Sequence, residues 1–361
     1  MFNGDRLRIA RQRRGMTKKS LAEMLSISPR AISGWESDEY PPDDELKIRR
    51  LADLLGFPTS FFAMDDSNKT PAGAVSFRAL TSKTAGQRDA VLAMCDLATD
   101  LTAWVDERFG LPLPNIPDLR GESPDIAASL LRQEWGLGVK PIKNMVHLLE
   151  AKGVRIFSLA DNCREVDACS FWSGPTPFAL VNTEVSCERL RFDLAHELAH
   201  LTLHKHAGPS GRTAENEANA FASEFLMPIE SIHEHLPNRT SLSDLIRKKK
   251  IWNVSVSALA YRLHKLGYIS DWHFKSLNIE MRRRGYKAAE PEGSPMEQSK
   301  VFELILGRLR EIGMPLNFVA NQTNLPEDEI RSLFFGLAKV SFDGDAEGDG
   351  VSKRPALRVV K

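Results

Sequence analysis

Cysteine is scarce in this chain of 361 residues: there are four, at positions 95, 163, 169 and 187, and no two of them form a CxxC pair. That scatter excludes a disulfide framework and a thiolate zinc knuckle, and leaves buried, reduced thiols as the expected state. Long apolar runs are missing too, so no segment has the length that crosses a bilayer. The first residues, MFNGDRLRIARQRRG, are charged where a secretory signal would be apolar. The expectation is a cytoplasmic protein with no membrane partner. Net charge is also lacking, since 48 Lys and Arg balance 48 Asp and Glu, and no global field pulls the chain toward nucleic acid. The hydrophobic share of 42% and charged share of 27% are those of a globular chain and exclude wholesale disorder and fibrous classes. This length predicts two or three domains, each with its own core.

The charge that is present is uneven. Within the first thirty residues, Arg6, Arg8, Arg11, Arg13, Arg14, Lys18, Lys19 and Arg30 face only Asp5 and Glu23. Residues 1–63 read as four short amphipathic helices: GDRLRIARQRRG, KKSLAEML, PRAISGWES and DDELKIRRLADLLG. Gly15 stops the first, Thr17 caps the second, Ser28 caps the third with Pro29 in its first turn, and Gly56 then Pro58 close the fourth. Leu7, Leu21, Ala22, Leu25, Ile32, Trp35, Leu51 and Leu54 form the expected core. The short LSIS segment between the second and third helices suits the tight turn of a helix-turn-helix. TKKSLAEMLSISPRAISGWESDEYPP resembles the repressor-type helix-turn-helix family. The resemblance implies binding to a double-stranded DNA operator, with Ser28, Arg30, Ala31 and Ser33 nearest the bases. Lys18 stands where that family often has Gln, which favours a phosphate contact there over directional hydrogen bonding. A homodimer is the habit of such domains, because they read paired half-sites.

Residues 64–123 read as a linker and a helical bridge. MDDSNKTPAGAVS (64–76) has no periodicity. The stretch from Thr84 carries a helical apolar stripe through Ala90, Met94, Leu97, Leu101 and Trp104, and LPLPNIPDL then forces extended chain. Residues 124–290 alternate helices with the expected strands VRIFSLA, DACSFWSG and PFALVN. Downstream, SLSDLIRKKKIWNVSVSALAYRLHKLGYI (241–269) again reads as helix, turn, helix, and Lys248 to Lys250 are expected to form a solvated basic face. Residues 291–340 form a small helical region that covers the preceding domain or senses a signal. The Gly- and Asp-rich tail, 341–361, is expected to be disordered.

Between 195 and 206 stands AHELAHLTLHKH, with histidines at 196, 200, 204 and 206. On a helix, residues four apart are separated by about 40° and roughly 6 Å of rise, so His196 and His200 can converge on one ion. Glu197 would then lie beside the metal, placed to take a proton from water. His204 lies roughly 12 Å of rise from His196, too far to share its ion, and is expected to close the helix end. A catalytic zinc keeps one position for water and takes a third protein ligand, which the following AENEANAFASEFLMP segment can supply. Glu215 shares a helix face with Ala218, Asn219 and Ala222, which lets the helices approach closely. It is the chosen ligand, with Glu217 in reserve.

RFDLAHELAHLTLH followed by ENEANAFASEFLMP resembles the ImmA/IrrE metallopeptidase family, over about 125–290. Ala199 replaces that family's usual Gly, one small residue for another. The resemblance implies a zincin-like α+β domain with one Zn2+ per chain bound by His196, His200 and Glu215, and Glu197 as general base. It implies cleavage of a protein partner, such as a transcriptional repressor, in a stress or mobile-element response. A substrate strand is expected on the edge of PFALVN. The other function these residues allow is a transcription factor or antitoxin-like regulator whose peptidase fold is a sensor or scaffold without turnover. The expected architecture is multidomain: an all-α helix-turn-helix domain, the α+β metallopeptidase domain, and a small helical C-terminal region.

Overall fold

The computed structural model describes residues 2–66, 84–159, 163, 166–205, 211–235, 240–286, 288–334 and 336–338. Most of the expected linker and the whole Gly/Asp tail lie outside these residues. The N-terminal helices are α1 (Gly4–Arg13), α2 (Lys18–Leu25), α3 (Pro29–Glu36) and α4 (Glu45–Leu55). Their ends follow local chemistry. Thr17 and Ser20 exchange a capping box, Ser28 Oγ accepts from the Ala31 N–H at 3.2 Å, and Gly56 ends α4 at φ 65°. Each such cap is worth about 1 kcal/mol. Leu7, Leu21, Ala22, Ile32, Trp35 and Leu51 are buried as expected. Leu25 and Leu54 are only half-buried, and Leu55 takes the inner place in α4.

Helix α5 (Ala85–Arg108) buries the whole expected stripe, and other faces as well. Asp96 and Asp100 turn toward α1, where Asp100 pairs with Arg6, and Asp96 lies 3.7 Å from Arg8. The N-terminal helices therefore pack directly on α5.

Next come α6 (Pro124–Glu134), α7 (Met145–Ala151), and strands β1 (Arg155–Ser158), β2 (Ala168–Ser173) and β3 (Thr176–Val181). The sheet order is β1-β3-β2, with β1 parallel and β2 antiparallel to β3. This corrects one expectation: PFALVN is the central strand and has no edge to offer. β2 and β3 form a hairpin through Gly174 at φ 55°, and β1 occupies the far side of β3. The two outer strands, β1 and β2, each keep an edge that no described strand covers.

Helix α8 (Cys187–Leu203) lies against β2 and β3, and α9 (Arg212–Leu226) packs on α8 and α6. Ala195 and Ala199 of α8 are fully buried, so their small side chains set how closely α8 can be approached. After α10 (Ile229–His235) come α11 (Leu242–Trp252), α12 (Val256–Lys265) and α13 (Asp271–Arg283). Here a second expectation fails. Lys248 to Lys250 are not one solvated face: the Lys249 side chain is 1% exposed and its ammonium lies 3.1 Å from Glu188 and 3.2 Å from Glu290. A buried charge persists only when paired in this way.

The C-terminal region is α14 (Lys300–Glu311), α15 (Leu316–Thr323) and α16 (Glu327–Phe334). Its α15–α16 turn repeats two others. Ser26, Asn253 and Asn324 all adopt the left-handed conformation, at φ 58°, 50° and 54°. In each case the next residue returns its N–H to a carbonyl five back, from Ile27 to Ala22, Val254 to Lys249 and Leu325 to Ala320. Six residues beyond each left-handed position stands a fully buried aliphatic: Ile32, Leu259 and Ile330. The helix-turn-helix geometry expected at 17–36 and 241–269 thus occurs a third time, where only generic helices were expected. In this third copy α16 packs against β1, while buried Glu329 binds Arg13 at 2.7 Å and Arg14 at 2.6 Å. The architecture is the expected multidomain one, with helical N- and C-terminal parts joined to an α+β region. Among the described residues no helix is long and apolar enough to cross a membrane.

Candidate functional site

Helix α8 begins at Ser186, whose hydroxyl accepts from the Arg189 N–H at 3.3 Å, and it carries His196, Glu197 and His200 in its C-terminal half. Helix α9 begins after Gly211, whose φ of 70° with ψ of −141° is a backbone conformation that a side chain would strain. That glycine starts α9 so that Glu215 falls in its first turn, facing α8. His196, His200 and Glu215 each offer a ligand atom, all within 4.8 Å of one another. The two Nε2 atoms are 3.1 Å apart, with Glu215 Oε2 3.4 Å from His196 Nε2 and Oε1 3.7 Å from His200 Nε2. Ligand atoms about 2.0–2.1 Å from a tetrahedral ion stand roughly 3.3 Å apart, so the spacing suits one such ion.

The chemistry of the donors agrees with the spacing. Asn219 Oδ1 can only accept, so the His196 Nδ1 beside it at 3.2 Å carries the proton and Nε2 presents its lone pair inward. Two imidazole nitrogens and a carboxylate form a ligand set that a divalent zinc ion accepts. Glu217, the reserve ligand, is not part of this group. Its Oε2 lies 2.9 Å from Nε2 of His204, whose Nδ1 is in turn 2.8 Å from Nδ1 of His200. His204 does close α8, through its N–H to the His200 carbonyl at 3.2 Å, but its ring does more than cap. His206 lies outside the described residues.

Glu197 is buried, and its Oε2 accepts from the hydroxyl of Ser170 at 2.6 Å. Ser170 was not foreseen. It sits on β2 among Ala168 and Trp172, the residues of one strand face, and Trp172 Nε1 reaches the Leu201 carbonyl at 3.3 Å. Only the docking of β2 on α8 reveals this serine. One turn before Glu197, burial pushes the carboxyl of Asp193 up to about 7, against the pull of Arg189 at 3.7 Å. His196 and Glu197 open on a cleft of about 1020 Å³, walled in part by Phe192, Tyr261, Phe274 and Tyr286. Such a mixed wall can hold apolar groups while its few polar side chains orient them.

In the N-terminal region Ser28 and Arg30 are exposed, and Ala31 and Ser33 half-buried, along the first turns of α3. Tyr40 braces this turn by donating to the Arg30 carbonyl at 3.0 Å. Lys18 is less available than expected, because its ammonium lies 3.2 Å from Glu36 and 3.4 Å from Ser33 Oγ. Glu36 also holds Arg11 at 2.5 Å, a buried pair that fixes α3 against α1.

No curated protein matches the chain. Two family models do: the IrrE N-terminal-like domain over residues 149–264, and a helix-turn-helix domain over residues 7–62. Residues 300–334, with the third turn, lie outside both. The chain therefore joins an N-terminal helix-turn-helix domain of the repressor type to an ImmA/IrrE-type, metallopeptidase-like domain.

Proposed function

We propose that this protein is a cytoplasmic, DNA-binding transcriptional regulator that is also a zinc-dependent endopeptidase acting on a protein partner such as a repressor. The observation that carries the reading is the convergence of His196, His200 and Glu215 at ligand spacing, with Glu197 beside them on the cleft. A zinc ion held by the three ligands would supply the Lewis acidity that acidifies water and polarises a carbonyl. The chain's own residues do the rest. Glu197 accepts a proton from the attacking water and returns it to the leaving amine. Ser170, bonded to Glu197 Oε2, holds that carboxylate in one orientation. Asn219 fixes the ring of His196. The substrate adds as an extended strand to the edge of β2, with its side chains in the aromatic cleft.

At the other end of the chain, α3 enters the major groove of an operator, and Arg30 reads a base while Ser28, Ala31 and Ser33 pack beside it. Lys18, tied to Glu36, contributes a phosphate contact weaker than a free lysine would. A homodimer reading two half-sites is part of this proposal.

Metal analysis of the purified chain is the first test, with about one zinc per chain expected and its loss in His196→Ala. Glu197→Gln should keep zinc and DNA affinity while abolishing cleavage of a co-expressed partner. If the wild type binds its operator yet cleaves no partner, the peptidase reading fails and a regulator with a non-catalytic scaffold remains. For DNA, log affinity should fall linearly with log salt, and Arg30→Ala should relax sequence preference; a flat salt response removes the DNA reading.

A further inference from the structure

We propose that Glu217 and His204 are positioning residues that fix the tautomer and ring plane of His200, and so set the affinity of the site for its divalent cation. This inference rests on the metal-binding reading above. Once the Nε2 lone pair of His200 is given to an ion, the hydrogen bonds fix the protons behind it. Glu217 is a carboxylate at 2.9 Å from His204 Nε2, so that nitrogen carries the proton and donates. With its Nε2 on the ion, His200 carries its proton on Nδ1, and His204 Nδ1 at 2.8 Å must be bare to accept it. His200 protonated at Nδ1 then has its Nε2 lone pair directed at His196 Nε2 and Glu215. If His204 took the other tautomer, two N–H groups would face each other and His200 would have to turn.

Chain geometry explains why two residues are needed. Glu217 is two positions past Glu215, about 200° around α9, so it cannot ligate the same ion. It reaches the site only through His204, one turn beyond His200 on α8. His196 has a shorter version of the same support, with Asn219 accepting directly. The His204 side chain is 7% exposed and that of Glu217 34%, so the histidine is shielded while the carboxylate keeps contact with solvent. An ion pair that merely glued α8 to α9 would require neither the Nδ1 to Nδ1 contact nor the alignment of both outer bonds.

The test is cobalt(II) binding to the metal-stripped full-length chain, read by chelator competition and by the visible spectrum of the bound ion. Glu217→Ala and His204→Ala should each weaken cobalt binding about 10- to 100-fold and change the visible bands, with circular dichroism unchanged. Asparagine at 204 places an acceptor oxygen near the position of Nδ1 and needs no tautomer selection. His204→Asn should therefore bind cobalt within about 3-fold of wild type, and adding Glu217→Ala to it should cost nothing further. If Glu217→Ala weakens binding equally in the His204→Asn and wild-type backgrounds, or in neither, the positioning role is overturned. If the wild type itself binds no cobalt that His196→Ala removes, the metal reading falls first and this inference with it.

Discussion

Removal of the Glu329 carboxylate tests whether the C-terminal helix-turn-helix holds the N-terminal one. Glu329 occupies in α16 the place that Ala31 holds in α3, five residues past the left-handed turn position. It is 1% exposed, and it receives Arg13 Nε at 2.7 Å and Arg14 Nη1 at 2.6 Å. The Arg13 side chain is 6% exposed, so Glu329→Ala takes one carboxylate away from a buried guanidinium. Breaking a buried pair from one side costs about 3–5 kcal/mol. Arg14 adds little, roughly 0–1 kcal/mol, because it is 25% exposed and keeps the Leu55 carbonyl at 2.6 Å. Undocking of α16 from α1 can relieve the strain before the chain unfolds. The expected result is a loss of about 3 kcal/mol or more in denaturant unfolding, or faster amide exchange confined to α1 and α16. Salt should not reproduce the effect, since buried pairs are poorly screened. Replacing both partners, as Arg13→Met with Glu329→Leu, should recover most of the loss. A change below about 1 kcal/mol in Glu329→Ala, with exchange in α1 unaltered, would refute the reasoning.

Three other perturbations follow from the structure. Ser170→Ala removes a hydrogen bond to a carboxylate, worth about 1.5–3 kcal/mol, and should lower cleavage at least about 10-fold with zinc content unchanged; unaltered turnover would exclude a role for Ser170. Burial pushes Glu150 up to about 7, opposed by its bonds from Ser299, Val301 and Lys300. The folded chain then holds this proton more tightly than the unfolded one, so its contribution is complete below about pH 4.5 and is lost as pH rises through 7. Unfolding of the wild type relative to Glu150→Gln, followed from pH 4 to 8, should show that loss, roughly 3 kcal/mol, and a flat difference would rule it out. Gly153 has φ 81°, and a Cβ there would stand 2.5 Å from the Leu113 carbonyl. Gly153→Ala should therefore cost more than about 1 kcal/mol in thermal unfolding, which a neutral outcome would contradict.

What could be read from the sequence was whatever the chain encodes within one or two helical turns. Thr17, Ser28 and Gly56 announce their caps because a cap is a contact between residues three or four apart. His196 and His200 converge for the same reason, and Glu215, chosen over Glu217 for the small residues on its face, lies beside them. Apart from the helix phase at Leu54 and the unread third turn, the failures involve distant partners. Strand order could not be read because β1 pairs with β3 across the intervening β2, and nothing local says which of two strands becomes central. The helical pattern gave Lys249 to solvent, since Glu188 and Glu290, which neutralise it, come from other parts of the chain.

The same division runs through the site itself. The three side chains that converge lie on two consecutive helices and are read from spacing, whereas the groups bonded to them and to Glu197 arrive by packing. Ser170 reaches Glu197 from a strand 27 residues away, and Glu217 reaches His204 across the α8–α9 contact. An HExxH pattern can therefore point to side chains at ligand spacing without reporting what orients them. Substitutions at Ser170, His204 or Glu217 would leave the pattern intact while changing how the site works. The proposed peptidase is therefore tested at Ser170, His204 and Glu217 as much as at the converging side chains: if it turns over, substitutions there should change cleavage or metal affinity while the HExxH pattern stays intact.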